Sequence, residues 1–187
     1  MLKITSNRHP AILVLENGMV FHGKAIGKIG SSDGEVIFNT AMTGYQEILT
    51  DPSYAEQIIN FTCTHIGNVG TNFEDYESRK VWANGIIVRD LSDNYSNWRA
   101  KGSFETFLLK HNVIGISEID TRALTRIIRS HGSLRGRIVS TAIHKEENIE
   151  SSLLFTESLE ENLVAKVSTK KILSYYKTLL SSYHVVV

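Results

Sequence analysis

Apolar residues fall first in short continuous runs and only later at helical spacing. Ala11-Ile12-Leu13-Val14-Leu15 is followed by Glu16-Asn17-Gly18. Asn and Gly both tolerate positive φ, so this pair predicts a hairpin whose second strand runs from Met19 to Ile26. Gly27, Gly30 and Gly34 mark an expected turn region, and Glu35 to Thr40 reads as a strand. Ile58 to Cys63 and Gly85 to Val88 are further runs of strand length. The period then changes. Ser103 is placed to cap a helix carrying Phe104, Phe107 and Leu108 at i, i+3, i+4. Ile114 to Ile116 is a short strand. Asp120 reads as the cap of a second helix, with Leu124, Ile127 and Ile128 on one face and Gly132 as its stop. Gly136 to Thr141 is again a strand. Strands first, then helix–strand alternation, predict a mixed α/β layered domain.

Beyond Thr141 the pattern weakens. Lys145 to Glu150 is charged, Ser151 to Asn162 reads as an amphipathic helix, and Leu173 to Ser182 has little periodicity. The β-branched run from Tyr183 to Val187 is expected to be the first strand of a further domain, cut short at Val187.

Composition adds limits. The 187 residues hold 20 basic and 20 acidic side chains, which gives no global charge toward nucleic acid or an anionic membrane. A single cysteine excludes an internal disulfide framework and fits a reducing compartment. No apolar run reaches the length a bilayer requires, and Met1 to Pro10 lacks the core of a secretory signal. The expected location is cytoplasmic.

Candidate chemistry is sparse. Cys63 and His65, two apart on the expected strand, share a face, and thiol plus imidazole is the minimum for an activated nucleophile. Yet Phe61-Thr62-Cys63-Thr64-His65 lacks the glycine-flanked elbow that exposes a nucleophile, and a lone cysteine more often serves as a small apolar side chain. The scattered histidines offer no metal-binding spacing. Gly27, Gly30 and Gly34 are not followed by a Gly-Lys-Ser/Thr, so no phosphate cradle is expected. Arg122, Arg126 and Arg129, with Arg135 and Arg137, form either a solvated face or a polar partner surface. Aromatic residues are not interleaved with them, as single-stranded nucleic acid would require. The remaining candidate is Phe38 to Tyr54, where a strand runs into a glycine turn and a helical turn ended by Asp51-Pro52. Thr43, Gln46, Thr50 and Ser53 there offer three hydroxyls and an amide, suited to turn and cap bonding or to a ligand.

That stretch, Phe38-Asn39-Thr40-Ala41-Met42-Thr43-Gly44-Tyr45-Gln46-Glu47-Ile48-Leu49-Thr50-Asp51-Pro52-Ser53-Tyr54, resembles the amino-terminal domain of the small subunit of glutamine-dependent carbamoyl-phosphate synthetase. Five further segments are similar to the same family, in its order: Leu13 to Gly18 with Phe21-His22-Gly23, His65 to Gly70, Glu77 to Val81, Ser96 to Arg99, and Ile119 to Arg126. The resemblance implies a β/β/α domain over residues 1–142, a helical linker over 143–183, and the entry strand of a class I glutamine amidotransferase domain at 184–187. It implies a large synthetase subunit as partner, L-glutamine as ligand, and ATP and Mg bound by that partner, with no cofactor in this chain. It implies that Ser53 reaches the bound glutamine, and that the Cys-His-Glu triad lies outside these residues, leaving the chain alone catalytically silent. Cys63-Thr64 departs from the family's usual Tyr-Pro. Two other readings stand beside this one: an interaction module that binds the large subunit without delivering ammonia, and a cysteine hydrolase using Cys63 and His65.

Overall fold

The computed structural model describes residues 8–140, within one compact unit, and residues 162–171, within a second. In the first unit the strands are β1 (Pro10–Leu15), β2 (Val20–Gly27), β3 (Ser31–Asn39), β4 (Gln57–Phe61), β5 (Gly85–Ile87), β6 (Ile114–Ser117) and β7 (Leu134–Ser140). The helices are α1 (Tyr45–Thr50), α2 (Phe104–Lys110) and α3 (Thr121–His131), with one 3-10 turn at Pro52–Tyr54. In the second unit a short helix, α4 (Leu163–Val167), is capped by Asn162, which accepts from the Ala165 N–H at 3.1 Å. The amphipathic stretch expected before Asn162, the segment after Lys171 and the terminal strand at 184–187 lie outside the described residues.

The mixed α/β composition holds, and the sheet closes on itself. Its order is β1-β2-β6-β5-β4-β3-β7, with β7 returning to β1. Pairing is parallel from β3 through β4 and β5 to β6 and antiparallel elsewhere. Closure removes both edges and their unpaired backbone groups.

Alternation along the strands divides the core. Leu13, Leu15, Val36, Ile58, Ile87, Ile116 and Ile138 come from six strands and form one cluster, which Leu124 and Ile128 of α3 join. Because those strands all contribute to it, this cluster fills the barrel, and α3 closes it. Asn60 ties wall to helix: its Nδ2 donates to the Thr121 carbonyl at 3.2 Å and to Thr125 Oγ1 at 3.0 Å. The opposite faces of β4 and β5 carry Ile59, Phe61 and Ile86, with Val88 just past β5, into a second cluster with Tyr45 and Leu49 of α1 and Phe104, Phe107 and Leu108 of α2. Apolar burial on both faces explains why these strands read as continuous runs.

The caps form where the sequence places them. Ser103 Oγ accepts from the Thr106 N–H at 3.1 Å, and Asp120 Oδ1 from the Ala123 N–H at 2.9 Å. Gly132 ends α3 with φ +86°. Gly34 corrects the expected turn region, because it lies inside β3. A Cβ there would come within 2.5 Å of the Glu56 carbonyl, so the chain needs glycine for close approach and not for a turn. The Asn17-Gly18 hairpin forms with a longer loop than two residues, β2 starting at Val20 with Gly18 at φ +84°.

Candidate functional site

The segment from Asn39 to Tyr54 leaves the end of β3 and crosses the outer face of the barrel. Asn39 turns the chain by accepting the Ala41 N–H at its Oδ1, 2.8 Å away. Gly44 enters α1 at φ +79°, a left-handed geometry that glycine adopts without strain. Tyr45 is then fully buried, its hydroxyl donating to the Gly70 carbonyl and accepting from the Val69 N–H, both at 3.1 Å. Burial pushes that phenol's pKa up to about 12. Gln46 pairs with one backbone unit: Nε2 donates to the Asn72 carbonyl at 2.7 Å, and Oε1 accepts the Asn72 N–H at 3.0 Å.

The end of α1 is held from one side by residues 77–83. Thr50 is buried; its Oγ1 donates back to the Gln46 carbonyl at 2.9 Å and accepts the Glu77 N–H at 3.0 Å. Its carbonyl accepts from Ser78 Oγ at 2.7 Å. The Leu49 carbonyl accepts the Trp82 N–H at 2.9 Å. The last-turn carbonyls that a helix leaves unpaired are thus met by a neighbouring loop.

Asp51-Pro52-Ser53-Tyr54 follows at once. Proline has no N–H to continue α1, and its ring fixes φ for the 3-10 turn. Asp51 Oδ1 accepts the Ser53 N–H at 2.8 Å. Tyr54 OH accepts from Asn39 Nδ2 at 3.1 Å, so the far side of the turn is pinned to the end of β3. Between these anchors Ser53 is exposed, and its hydroxyl makes no hydrogen bond among the described residues. The turn presents a free hydroxyl on a fixed backbone.

The four polar candidates therefore divide. Gln46 and Thr50 face inward and are consumed by structural bonds; Thr43 and Ser53 are exposed. The Cys63–His65 pair is corrected. β4 ends at Phe61, so these residues lie in the following loop and share no strand face. Cys63 packs against the outer cluster, whereas His65 is exposed with Nδ1 4.0 Å from Asp90. No hydrogen bond joins thiol and imidazole among the described residues. The expected arginine face also separates. Arg122, Arg126 and Arg129 are exposed on α3, but Arg135 and Arg137 lie on β7 opposite Glu35 and Asp33 of β3. Arg137 Nη2 donates to Asp33 Oδ2 at 3.0 Å, so its charge belongs to the barrel wall. Among the described residues no group of three or more His, Cys, Asp and Glu could hold a metal ion, and no helix is long and apolar enough to cross a membrane.

Sequence reasoning passed over Asn39, Ser78 and Trp82, which brace the Ser53 turn. Asn39 had a usable signal, a short amide where an apolar strand ends. Ser78 and Trp82 had none, because their partner lies far back in the chain.

The model of the carbamoyl-phosphate synthase small chain, CPSase domain, matches residues 13–138, more than half of the sequence. The chain belongs to this family. As a CPSase domain it is 50% identical over 166 residues to the carbamoyl phosphate synthase small chain of Pasteurella multocida, covering 89% of this chain and 43% of that one. It is 51% identical over 172 residues to the small chain of Buchnera aphidicola from Acyrthosiphon pisum, with coverages of 88% and 43%. With that of Acinetobacter baylyi it shares 53% over 150 residues, with coverages of 78% and 40%. This CPSase domain spans about two-fifths of the length of these relatives.

Proposed function

We propose that this chain supplies the docking part of a glutamine-dependent carbamoyl-phosphate synthase, and that Ser53 contacts the glutamine held by the rest of the small chain. Residues 1–142 are the docking domain, 143–183 a linker, and 184–187 the start of the glutamine amidotransferase domain. In this reading the β/β/α layering corresponds to opposed walls of the barrel with α1 and α2 outside. The observation that carries the site is the exposed, unengaged hydroxyl of Ser53 on a turn fixed by Asp51, Pro52 and the Asn39–Tyr54 bond. A hydroxyl held this way loses little conformational freedom on meeting a ligand.

Cleaving the glutamine amide requires a thiolate, a base oriented by a carboxylate, and N–H donors for the oxyanion. Ser53 supplies none of these. It contributes binding and orientation, which lower KM or align the amide for attack by a nucleophile elsewhere. The carbamoyl-phosphate chemistry, with bicarbonate, ATP and Mg, belongs to the large-chain partner. Two exposed aromatic side chains support docking: Phe73, 77% exposed, and Trp98, 90% exposed, stand beside the Arg99 ion pairs with Glu74 and Asp75.

Ser53→Ala, made in the full small chain assembled with its large chain, tests the contact. One lost hydrogen bond corresponds to a rise in KM for glutamine of about threefold to tenfold. Synthesis supported by free ammonia is expected to be unchanged. Equal loss of both activities would count against a glutamine contact.

A further inference from the structure

We infer that Ser78, distant from Ser53 in sequence, is a positioning residue for the Ser53 turn, acting through the Thr50 carbonyl. This rests on the glutamine-contact reading and adds the means by which the contact is held in place.

Thr50 is the last residue of α1, and its peptide leads directly into Asp51-Pro52-Ser53. Pro52 has no N–H and the Asp51 N–H turns back to the Ile48 carbonyl, so among the described residues no backbone donor of the turn meets the Thr50 carbonyl. Ser78 Oγ supplies one, donating to the Thr50 carbonyl at 2.7 Å. A serine hydroxyl has a single proton and two lone pairs, so its direction must be set by what it accepts. Trp82 sets it: the indole Nε1–H donates to Ser78 Oγ at 2.8 Å, occupying a lone pair and leaving the proton for Thr50. The other carbonyl within reach, that of Lys80, is farther away at 3.4 Å. Lys80 Nζ stands 3.8 Å over the Trp82 ring and holds the indole in place from its face. Charge, indole N–H, hydroxyl and carbonyl thus form one chain of polarised contacts ending at the peptide that aims Ser53. Neither the Asp51 cap nor the Asn39–Tyr54 bond duplicates this: Asp51 Oδ1 accepts the Ser53 N–H, Asn39 donates to Tyr54 OH, and neither touches the Thr50 carbonyl.

The test uses Ser78→Ala, Ser78→Thr and Trp82→Phe in the full small chain with its large chain. Its readouts are KM for glutamine, the ammonia-supported rate, and the indole N–H resonance of Trp82, which Trp82→Phe identifies by deletion. Ser78→Ala is expected to raise KM for glutamine about threefold to tenfold, leave the ammonia-supported rate unchanged, and shift the Trp82 resonance. Ser78→Thr, which keeps the hydroxyl, is expected to restore KM. Two results overturn the inference: a shifted Trp82 resonance with unchanged KM, or parallel loss of both activities. Ser53→Ala measured alongside separates the two ideas. Raised KM there with normal KM in Ser78→Ala removes the positioning role alone, whereas normal KM in Ser53→Ala removes the contact and the inference together.

Discussion

At the barrel interior, Leu124 and Ile128 of α3 share one apolar cluster with Leu13, Val36, Ile58 and Ile138, and Asn60 ties the wall to Thr121 and Thr125. Outside it, residues 62–103 contain a single short strand, β5, and α1 is fastened to them by side chains bonding backbone: Tyr45 to Val69 and Gly70, Gln46 to Asn72, Thr50 to Glu77, Ser78 to Thr50. The first region is held by non-directional burial, which tolerates sequence change if volume is kept. The second depends on particular donors meeting particular acceptors, each costly to leave unpaired. The exposed Ser53 hydroxyl, proposed to meet glutamine, stands on the second kind of structure. The barrel beneath it makes that structure affordable.

The largest effect should come from emptying the barrel. Ile58 is fully buried in the interior cluster. Ile58→Ala is expected to destabilise by about 2–5 kcal/mol through lost transfer energy and the residual cavity. Urea unfolding would show a lower midpoint by every probe at once. If the outer segment alone loosened, the division between a cooperative barrel and a locally bonded layer would be wrong.

Thr50→Val probes the other region at nearly constant volume. It keeps the side chain's shape and removes the hydroxyl of buried Thr50 that accepts the part-buried Glu77 N–H. The expected cost is about 1–3 kcal/mol for an unpaired donor. Its signature should be local. Hydrogen exchange at Glu77 is expected to speed up by more than exchange at Ile59 or Ile86 in the barrel wall. Uniform acceleration would mean that the segment and barrel open as one unit.

The same contrast explains what the sequence disclosed. The barrel strands were legible because apolar runs and hairpin signals are local, and the α2 and α3 caps because Ser103 and Asp120 each meet a donor three residues on. Closure of the sheet was not legible, since pairing β7 with β1 joins opposite ends of the domain. Gly34 showed why: glycine signals both turns and close approach, and only the Glu56 carbonyl beside it decides which. At the site, Asp51-Pro52 announced a turn, but nothing local distinguished Ser53 from Thr50. One hydroxyl faces out and the other meets Glu77, and that difference is set by a loop more than two dozen residues downstream.

The smallest effect concerns how the outer segment is fastened to α2. Tyr76 OH lies 3.1 Å from His111 Nε2, and the Phe107 ring packs tilted against the imidazole at 4.5 Å between centroids. Burial, and to a lesser extent Lys110, lowers the His111 pKa below its ordinary 6.5. Burial also raises the Tyr76 pKa, so the phenol keeps its proton and shares one hydrogen bond with the neutral imidazole, its direction set by the imidazole tautomer. As pH falls, the unfolded chain takes up its proton near 6.5 while the folded one resists until a lower pH. The unfolded state therefore binds more protons in that window, and stability falls with pH. The contribution is complete above about pH 6.5 and is lost as pH drops through the folded value. Protonation makes both ring nitrogens donors, so the Tyr76 hydroxyl could then only accept from Nε2. Thermal unfolding of the small chain against its His111→Gln variant, from about pH 7.5 down to about pH 5, isolates this term. The parent should lose slightly more Tm than the variant across that range. Parallel curves would show that the outer segment is fastened to α2 by the Tyr76 and Phe107 rings alone, with no proton involved.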